Sequence, residues 1–284
     1  MRSAELARFV ASYPTAIVAE LTAVRGSSPR EKGAFMLIAP DALIGTIGGG
    51  ALEYMVIDRA RRALRDGEEP EGLDIPLGPE IGQCCGGRVE VSLKRLQRPL
   101  GAALVKRLRA AEADLPDVYL FGAGHVGKAL AQALAALPLN VHVIDTRPDE
   151  LSGLPAGVEA KAVPMPEAVV RSAPEGSAFV ILTHDHALDF LIAAEALKRP
   201  DAPYIGMVGS RTKRAKFASW YAGEGGNRDA LRRLVLPIGD LGLVDKRPEV
   251  IAALAAAEIM VHLGRRGASR MGARDPMTVG ADVD

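Results

Sequence analysis

Apolar positions along this chain repeat in two different ways, and the change falls near its middle. Residues 1–10 place apolar side chains among two arginines and a glutamate and read as a short amphipathic helix. Thr15 to Val24, rich in β-branched and apolar residues, predicts a strand. Ala34 to Ile47 predicts two short strands around the Pro40-Asp41 turn. After Gly48-Gly49-Gly50, the residues Leu52, Met55, Val56, Ala60 and Leu64 recur at steps of three and four, the period of a helix. Arg65 to Gly72 is charged and contains Gly and Pro, so it reads as a loop. Val89, Val91 and Leu93 alternate with polar residues, as on a half-buried strand. These elements make residues 1–98 a mixed α+β domain. Residues 99–115 read as a connector with a helix from Gly101 to Ala113.

From residue 116 to 284 short apolar runs alternate with helical patterns. Strands are predicted at Val118–Phe121, Asn140–Ile144, Phe179–Leu182, Tyr204–Met207 and Leu234–Ile238. Helices are predicted at Val126–Leu137, Ala187–Lys198, Thr212–Tyr221 and Glu249–Leu263. Repeated β-α alternation means a parallel sheet covered by helices, so the fold class is α/β, with a Rossmann-type parallel-sheet domain following the mixed one.

The length, 284 residues, exceeds what one core usually serves and agrees with two domains. With 35 basic and 35 acidic residues the chain lacks the basic excess expected of a protein whose main partner is a nucleic acid. No run of 18 apolar residues is present, so no membrane-spanning helix is expected, and the first residues do not read as a signal peptide. Only two cysteines occur, Cys84 and Cys85. A disulfide between neighbours closes a strained ring, so the pair is not a secretory staple and a reducing, cytoplasmic compartment is expected.

Gly122-Ala123-Gly124-His125-Val126-Gly127 fits G-x-G-x-x-G after a predicted strand and before a predicted helix. The first glycine permits the turn, the second lets a phosphate approach the backbone, and the third lets helix and strand pack closely. Asp145 ends the next strand, 18 residues after Gly127, where an acid can bond a ribose hydroxyl. Arg147, two residues on, suits a 2′-phosphate instead. The motif leaves open whether the ligand is a nicotinamide dinucleotide, NAD(P), or another phosphate-bearing cofactor.

Two more clusters follow later strands, on the side where open α/β sheets bind ligands. Thr183-His184-Asp185-His186, with Asp189 one turn on, offers a ligand role for Thr183 and His184 or a helix cap from Thr183 or Asp185. Two histidines without a third ligand are a poor metal site. Gly209-Ser210-Arg211, with Lys213 and Arg214, offers a second anion site or a solvated basic helix face.

In the first domain Arg25-Gly26-Ser27-Ser28-Pro29-Arg30 follows a strand, and Gly48-Gly49-Gly50 precedes the helix carrying Glu53. Both can hold a phosphate or polar ring through backbone amides, or serve as plain turns. In Gln83-Cys84-Cys85-Gly86-Gly87 the glycines allow a ligand near the thiols, and nearby amides favour thiolate. A thiolate can ligate a soft metal or carry sulfur. The alternative is two buried cysteines.

These strings resemble, in this order along nearly the whole chain, the xanthine dehydrogenase accessory protein family (XdhC/CoxI type). The match continues through Thr183-His184, Gly209-Ser210-Arg211, Pro237-Ile238-Gly239 and Pro248-Glu249. After Pro237-Ile238-Gly239, the run Asp240-Leu241-Gly242 is one residue shorter than the family's usual pattern. The resemblance implies a chaperone, not a catalyst: it binds the molybdenum cofactor (molybdopterin), protects it during sulfuration by a cysteine desulfurase, and helps insert it into xanthine dehydrogenase or a related molybdenum hydroxylase. It also implies a homodimer. Carried over by position, Cys84 and Cys85 become the candidate molybdenum or sulfur contacts, with Gln83 a further cofactor-binding candidate, and Gly122, Gly124 and Gly127 the candidate phosphate cradle. The rival is an NAD(P)-dependent oxidoreductase using the Rossmann site, although no Tyr-x-x-x-Lys or comparable acid/base pair lies beside the turn.

Overall fold

The computed structural model describes residues 1–79, 86–243 and 245–272, with side chains through Arg265. The chain forms two compact units, dividing between Asp114 and Leu115. The first contains α1 (Ser3–Ser12), β1 (Ile17–Arg25), β2 (Phe35–Ile38), β3 (Leu43–Gly45), α2 (Gly50–Asp66), β4 (Leu73–Pro76), β5 (Arg88–Arg95) and α3 (Arg98–Ala113). Its strands form an antiparallel sheet in the order β3-β2-β1-β5-β4.

Side chains on a strand point alternately to either face, and this sheet buries both faces. Ile17, Ala19 and Leu21 of β1 pack with Leu52, Val56, Ala60 and Ala63 of α2. Val18 of β1, with Phe35 and Leu37 of β2, packs with Leu6 and Phe9 of α1 and Leu104 of α3. The helix read as a connector thus belongs to this unit's second layer. Glu112 near its end accepts from the Ser3 N–H at 2.7 Å and the Ser3 hydroxyl at 2.5 Å. Strand β4 lies just beyond the predicted loop and pairs with β5 at the sheet edge. Gly67, at φ +76°, takes the left-handed conformation that ends α2.

The second unit contains β6 (Asp117–Phe121), α4 (His125–Ala135), β7 (Asn140–Asp145), a 3-10 turn at Pro148–Leu151, β8 (Glu159–Ala162), α5 (Pro166–Ser172), β9 (Ala178–Ile181), α6 (His186–Leu197), β10 (Ile205–Met207), α7 (Arg211–Gly223), α8 (Arg228–Leu231), β11 (Leu234–Val235) and α9 (Pro248–Gly272). All six strands are parallel, in the order β11-β10-β9-β6-β7-β8. Numbered within the unit this is the Rossmann order 3-2-1-4-5-6, which reverses direction between β6 and β9. Leu130 and Leu134 of α4 and Ala255 and Ile259 of α9 cover one face. Val170 of α5, Ile192 and Ala196 of α6 and Phe217 of α7 cover the other. Every residue of β9 is buried, which is why it reads as an unbroken apolar run. Burying one side chain such as Phe121 or Phe179 contributes about 1.5–3 kcal/mol.

Strand β8 and helices α5 and α8 are additions to the sequence reading. The strand predicted at Leu234–Ile238 is shorter, ending at Val235.

Candidate functional site

The glycine-rich turn leaves β6 and enters α4 as the sequence predicts. Gly122 has φ +116°, and a Cβ there would sit 2.5 Å from the Leu182 carbonyl oxygen at the end of β9. A Cβ on Gly127 would sit 2.0 Å from the Gly122 carbonyl oxygen. These two glycines are required by close packing at the point where the strand order reverses. At Gly124 a Cβ would meet nothing within 4 Å, so the space beside it is open. Gly124 caps α4 with no side-chain bond, and His125, the first helical residue, is exposed. Among the described residues no side chain accepts from the first amides of this helix, the condition under which a helix start attracts an anion.

Asp145 at the end of β7 is 5% exposed. Its Oδ2 accepts from the Ala123 N–H at 2.8 Å and from Arg147 Nη2 at 3.2 Å. Its Oδ1 accepts from the Arg147 N–H at 2.9 Å and from Arg147 Nε at 3.1 Å. Burial works against its charge, but the Arg147 guanidinium and the two backbone N–H groups more than offset this and hold the carboxyl below the usual range. The acid thus ties the glycine turn to the end of β7.

After β9, Asp185 caps α6, its side chain accepting from the N–H groups of Ala187 and Leu188. His184 is exposed. Thr183 points inward: its hydroxyl donates to Asp189 Oδ1 at 2.7 Å, and its N–H reaches the same oxygen at 3.1 Å. Asp189 is 1% exposed and bonded to Lys213, also buried, whose Nζ donates in addition to the Val208 carbonyl at 2.8 Å. This buried pair is absent from the sequence reading of the site. Its trace in the sequence is an aspartate inside the apolar run of α6, together with Gly209, where a Cβ would lie 2.6 Å from the Lys213 stem.

Ser210 caps α7, and Arg214 bonds the carbonyls of Leu234 and Leu236. Of the cations grouped there by sequence, two are committed to the fold and Arg211 remains exposed. Gly122, Asp145, Thr183 and His184 line one recess of about 10 Å³, room for roughly one water. A far roomier groove of about 800 Å³ lies among Leu191, Trp220, Tyr221 and Arg233, and holds none of the residues singled out by sequence. Among the described residues no group of three or more His, Cys, Asp or Glu can hold a metal ion.

In the first unit three strings distant in sequence come together. A Cβ on Gly87 would lie 2.1 Å from the Ser27 carbonyl oxygen, and one on Gly26 would lie 3.3 Å from Gly87 Cα. A Cβ on Gly48 would lie 3.3 Å from Pro29 Cβ. The turn 25–30 is thus packed between Gly86-Gly87 and the start of α2. Inside it the Ser28 hydroxyl is buried and has no hydrogen-bond partner among the described residues. Arg25 pairs with Glu90 at 2.8 Å, while Ser27 and Arg30 are exposed. Gln83, Cys84 and Cys85 immediately precede Gly86 in the chain and lie outside the described residues.

Glu53 serves the loop that leads to its own helix. Its Oε1 accepts from the Thr46 hydroxyl at 2.5 Å and the Ile47 N–H at 3.0 Å. Burial raises its pKa, but Thr46 and the N–H groups of Ile47, Gly49 and Gly48 outweigh this and keep the carboxyl below its ordinary value. The amides that the sequence offers to a phosphate therefore already face a carboxylate of this chain. Gly50, at φ +64°, opens α2.

Comparison with known proteins agrees with this architecture. Residues 118–259 match the XdhC Rossmann domain, and residues 10–72 match the XdhC and CoxI family. The chain is 28% identical over 254 residues to the uncharacterized protein YqeB of Escherichia coli (strain K12), which covers 86% of this chain but 42% of that protein. It therefore spans less than half the length of that relative. The crystal structure of a xanthine dehydrogenase from Bacillus halodurans has a TM-score of 0.73 at 21% identity, covering 97% of this chain and 98% of that one. At that identity the likeness is one of fold. The chain belongs to the XdhC family. Among the described residues no helix is long and apolar enough to cross a membrane.

Proposed function

We propose that this protein binds the molybdenum cofactor, holds it for sulfuration by a cysteine desulfurase, and helps insert it into xanthine dehydrogenase or a related molybdenum hydroxylase, working as a cytoplasmic homodimer. The observation that carries the reading is the buried Ser28 hydroxyl, without a hydrogen-bond partner among the described residues and set where residues 25–30, Gly48 and Gly87 converge. An orphaned buried hydroxyl costs about 1–3 kcal/mol, a cost that a polar ligand bonded to it removes. It lies in a turn closed by the two glycines that directly follow Cys84 and Cys85.

When bound, the cofactor supplies a soft molybdenum–dithiolene centre and a terminal phosphate. Cys84 and Cys85 would offer thiolates to the metal, with Gln83 beside them, and Arg25 and Arg30 would offer cations to an anionic group. In the second unit, the start of α4 beside Gly124 would offer its own place for a phosphate-bearing ligand, with His125, Thr183, His184 and Arg211 as further polar groups at the strand ends. Glu53 shapes the Thr46–Gly50 loop and so positions the turn it packs against.

The test is an anaerobic titration of the purified protein with molybdenum cofactor, read by co-elution of molybdenum and pterin. Saturable binding that the Cys84→Ala, Cys85→Ala double variant loses, and that Ser28→Ala weakens about tenfold, is expected. Absence of saturable binding by the wild-type protein overturns the proposal.

A further inference from the structure

The Rossmann order and the glycine turn invite a dinucleotide, and Asp145 stands where such a ligand presents its ribose diol. A carboxylate has about four lone-pair sites. Four hydrogen bonds already converge on Asp145: the N–H groups of Ala123 and Arg147, at 2.8 and 2.9 Å, and Nε and Nη2 of Arg147, at 3.1 and 3.2 Å. The carboxylate is 4% exposed, so a ribose can reach it only by displacing the guanidinium. That guanidinium is held from its other side by Glu150 at 3.3 Å, which in turn pairs with Lys128 at 3.7 Å.

We infer that the Asp145–Arg147 pair is a specificity lock, which closes the ribose position and restricts the glycine turn to ligands held by a phosphate without an adenosine ribose. Two neutral hydroxyl donors would have to replace a charged, two-pronged donor on the same carboxylate, giving up both the ion pair and its fixed bidentate geometry. The same pair removes Arg147 from service to a 2′-phosphate, because its Nε and Nη2 already face Asp145. The recess bordering Asp145 is lined by Gly122, Thr183 and His184 and holds only about 10 Å³, too little for a sugar ring. The phosphate-only class deepens the proposed cofactor role and rests on it. The lock itself concerns Asp145 and Arg147 alone.

The experiment titrates the full chain with NADH and with NADPH, following nicotinamide emission, for the wild type, Arg147→Ala and Arg147→Lys. Arg147→Ala leaves both backbone bonds to Asp145 and frees two of its lone pairs. The wild type is expected to show no saturation with either nucleotide into the millimolar range. Arg147→Ala is expected to gain NADH binding by at least tenfold, with Arg147→Lys between the two. Micromolar binding of either nucleotide by the wild type overturns the lock, as does an Arg147→Ala variant with native circular dichroism that gains nothing. Neither result bears on the molybdenum-cofactor titration, so the two proposals fail separately.

Discussion

Two of the glycine-rich turns that lead into helices, one in each unit, are finished in opposite ways. Before α2, the Thr46–Gly50 loop closes on Glu53, a carboxylate supplied three residues into the same helix. Before α4, the turn Gly122–Gly124 has one amide fixed by Asp145 and a helix start without any side-chain cap. A glycine run in sequence is therefore only an offer of amides. Whether a ligand can accept it depends on whether the chain brings its own anion. The first turn is complete as folded and acts as a support. The second is incomplete and is the one suited to an external phosphate.

The largest expected effect attacks the packing that makes the second turn possible. Gly127→Ala places a methyl group 2.0 Å from the Gly122 carbonyl oxygen and should cost about 3 kcal/mol, measured by denaturant titration with far-ultraviolet circular dichroism. An unchanged midpoint would mean that the close approach is not a constraint. Next, Glu53→Ala removes the carboxylate from the first turn and should cost about 1.5–3 kcal/mol. Millimolar sulfate should restore part of that loss in the variant and do nothing for the wild type, making the first turn resemble the second.

Acid should separate the turns more gently. Glu53 and Asp145 both have folded pKa values below their ordinary 4.5 and 3.8, so their contributions are complete above those values and are lost as pH falls through the folded ones. Glu53→Gln should flatten the stability decline that begins near pH 4.5 in the first unit, and leave the Asp145 limb below pH 3.8 in place. The smallest effect on stability belongs to Gly124→Ala. Its φ of −69° suits alanine and no atom lies within 4 Å, so the change should stay within about 0.5 kcal/mol while weakening any phosphate ligand.

Much of the second unit can be read from sequence because its central strands are buried on both faces and its turns are marked by glycine. What escapes is what lacks that signature. Strand β8, Glu-Ala-Lys-Ala, is exposed at all four positions and joins the sheet through its backbone ladder and one side-chain contact, Glu159 with His142 at 3.0 Å. Helix α5 has only seven residues, too few for a period to show. The helix of residues 98–113 is visible as a helix, but its partner α1 lies about a hundred residues earlier, and periodicity does not name partners.

The candidate residues divide in the same way. Gly122, Gly124 and Gly127 stand where the motif puts them, because the motif encodes a local backbone shape. Asp145, Glu53 and Lys213 read in the sequence as residue types with chemistry to offer, yet each is bonded within the fold. Spacing along a chain does not reveal that Asp189, on another helix, waits for Lys213.

Trp220 has one further consequence. It is the chain's single tryptophan, and it sits beside Phe190 at 5.5 Å and Phe217 at 5.9 Å within the second unit. Indole emission therefore sees one half of the molecule. A melting curve recorded in that light can look like one clean transition whatever the first unit has done, because the first unit is dark at that wavelength. Its unfolding has to be followed by another signal, and a single midpoint from tryptophan would describe half a protein.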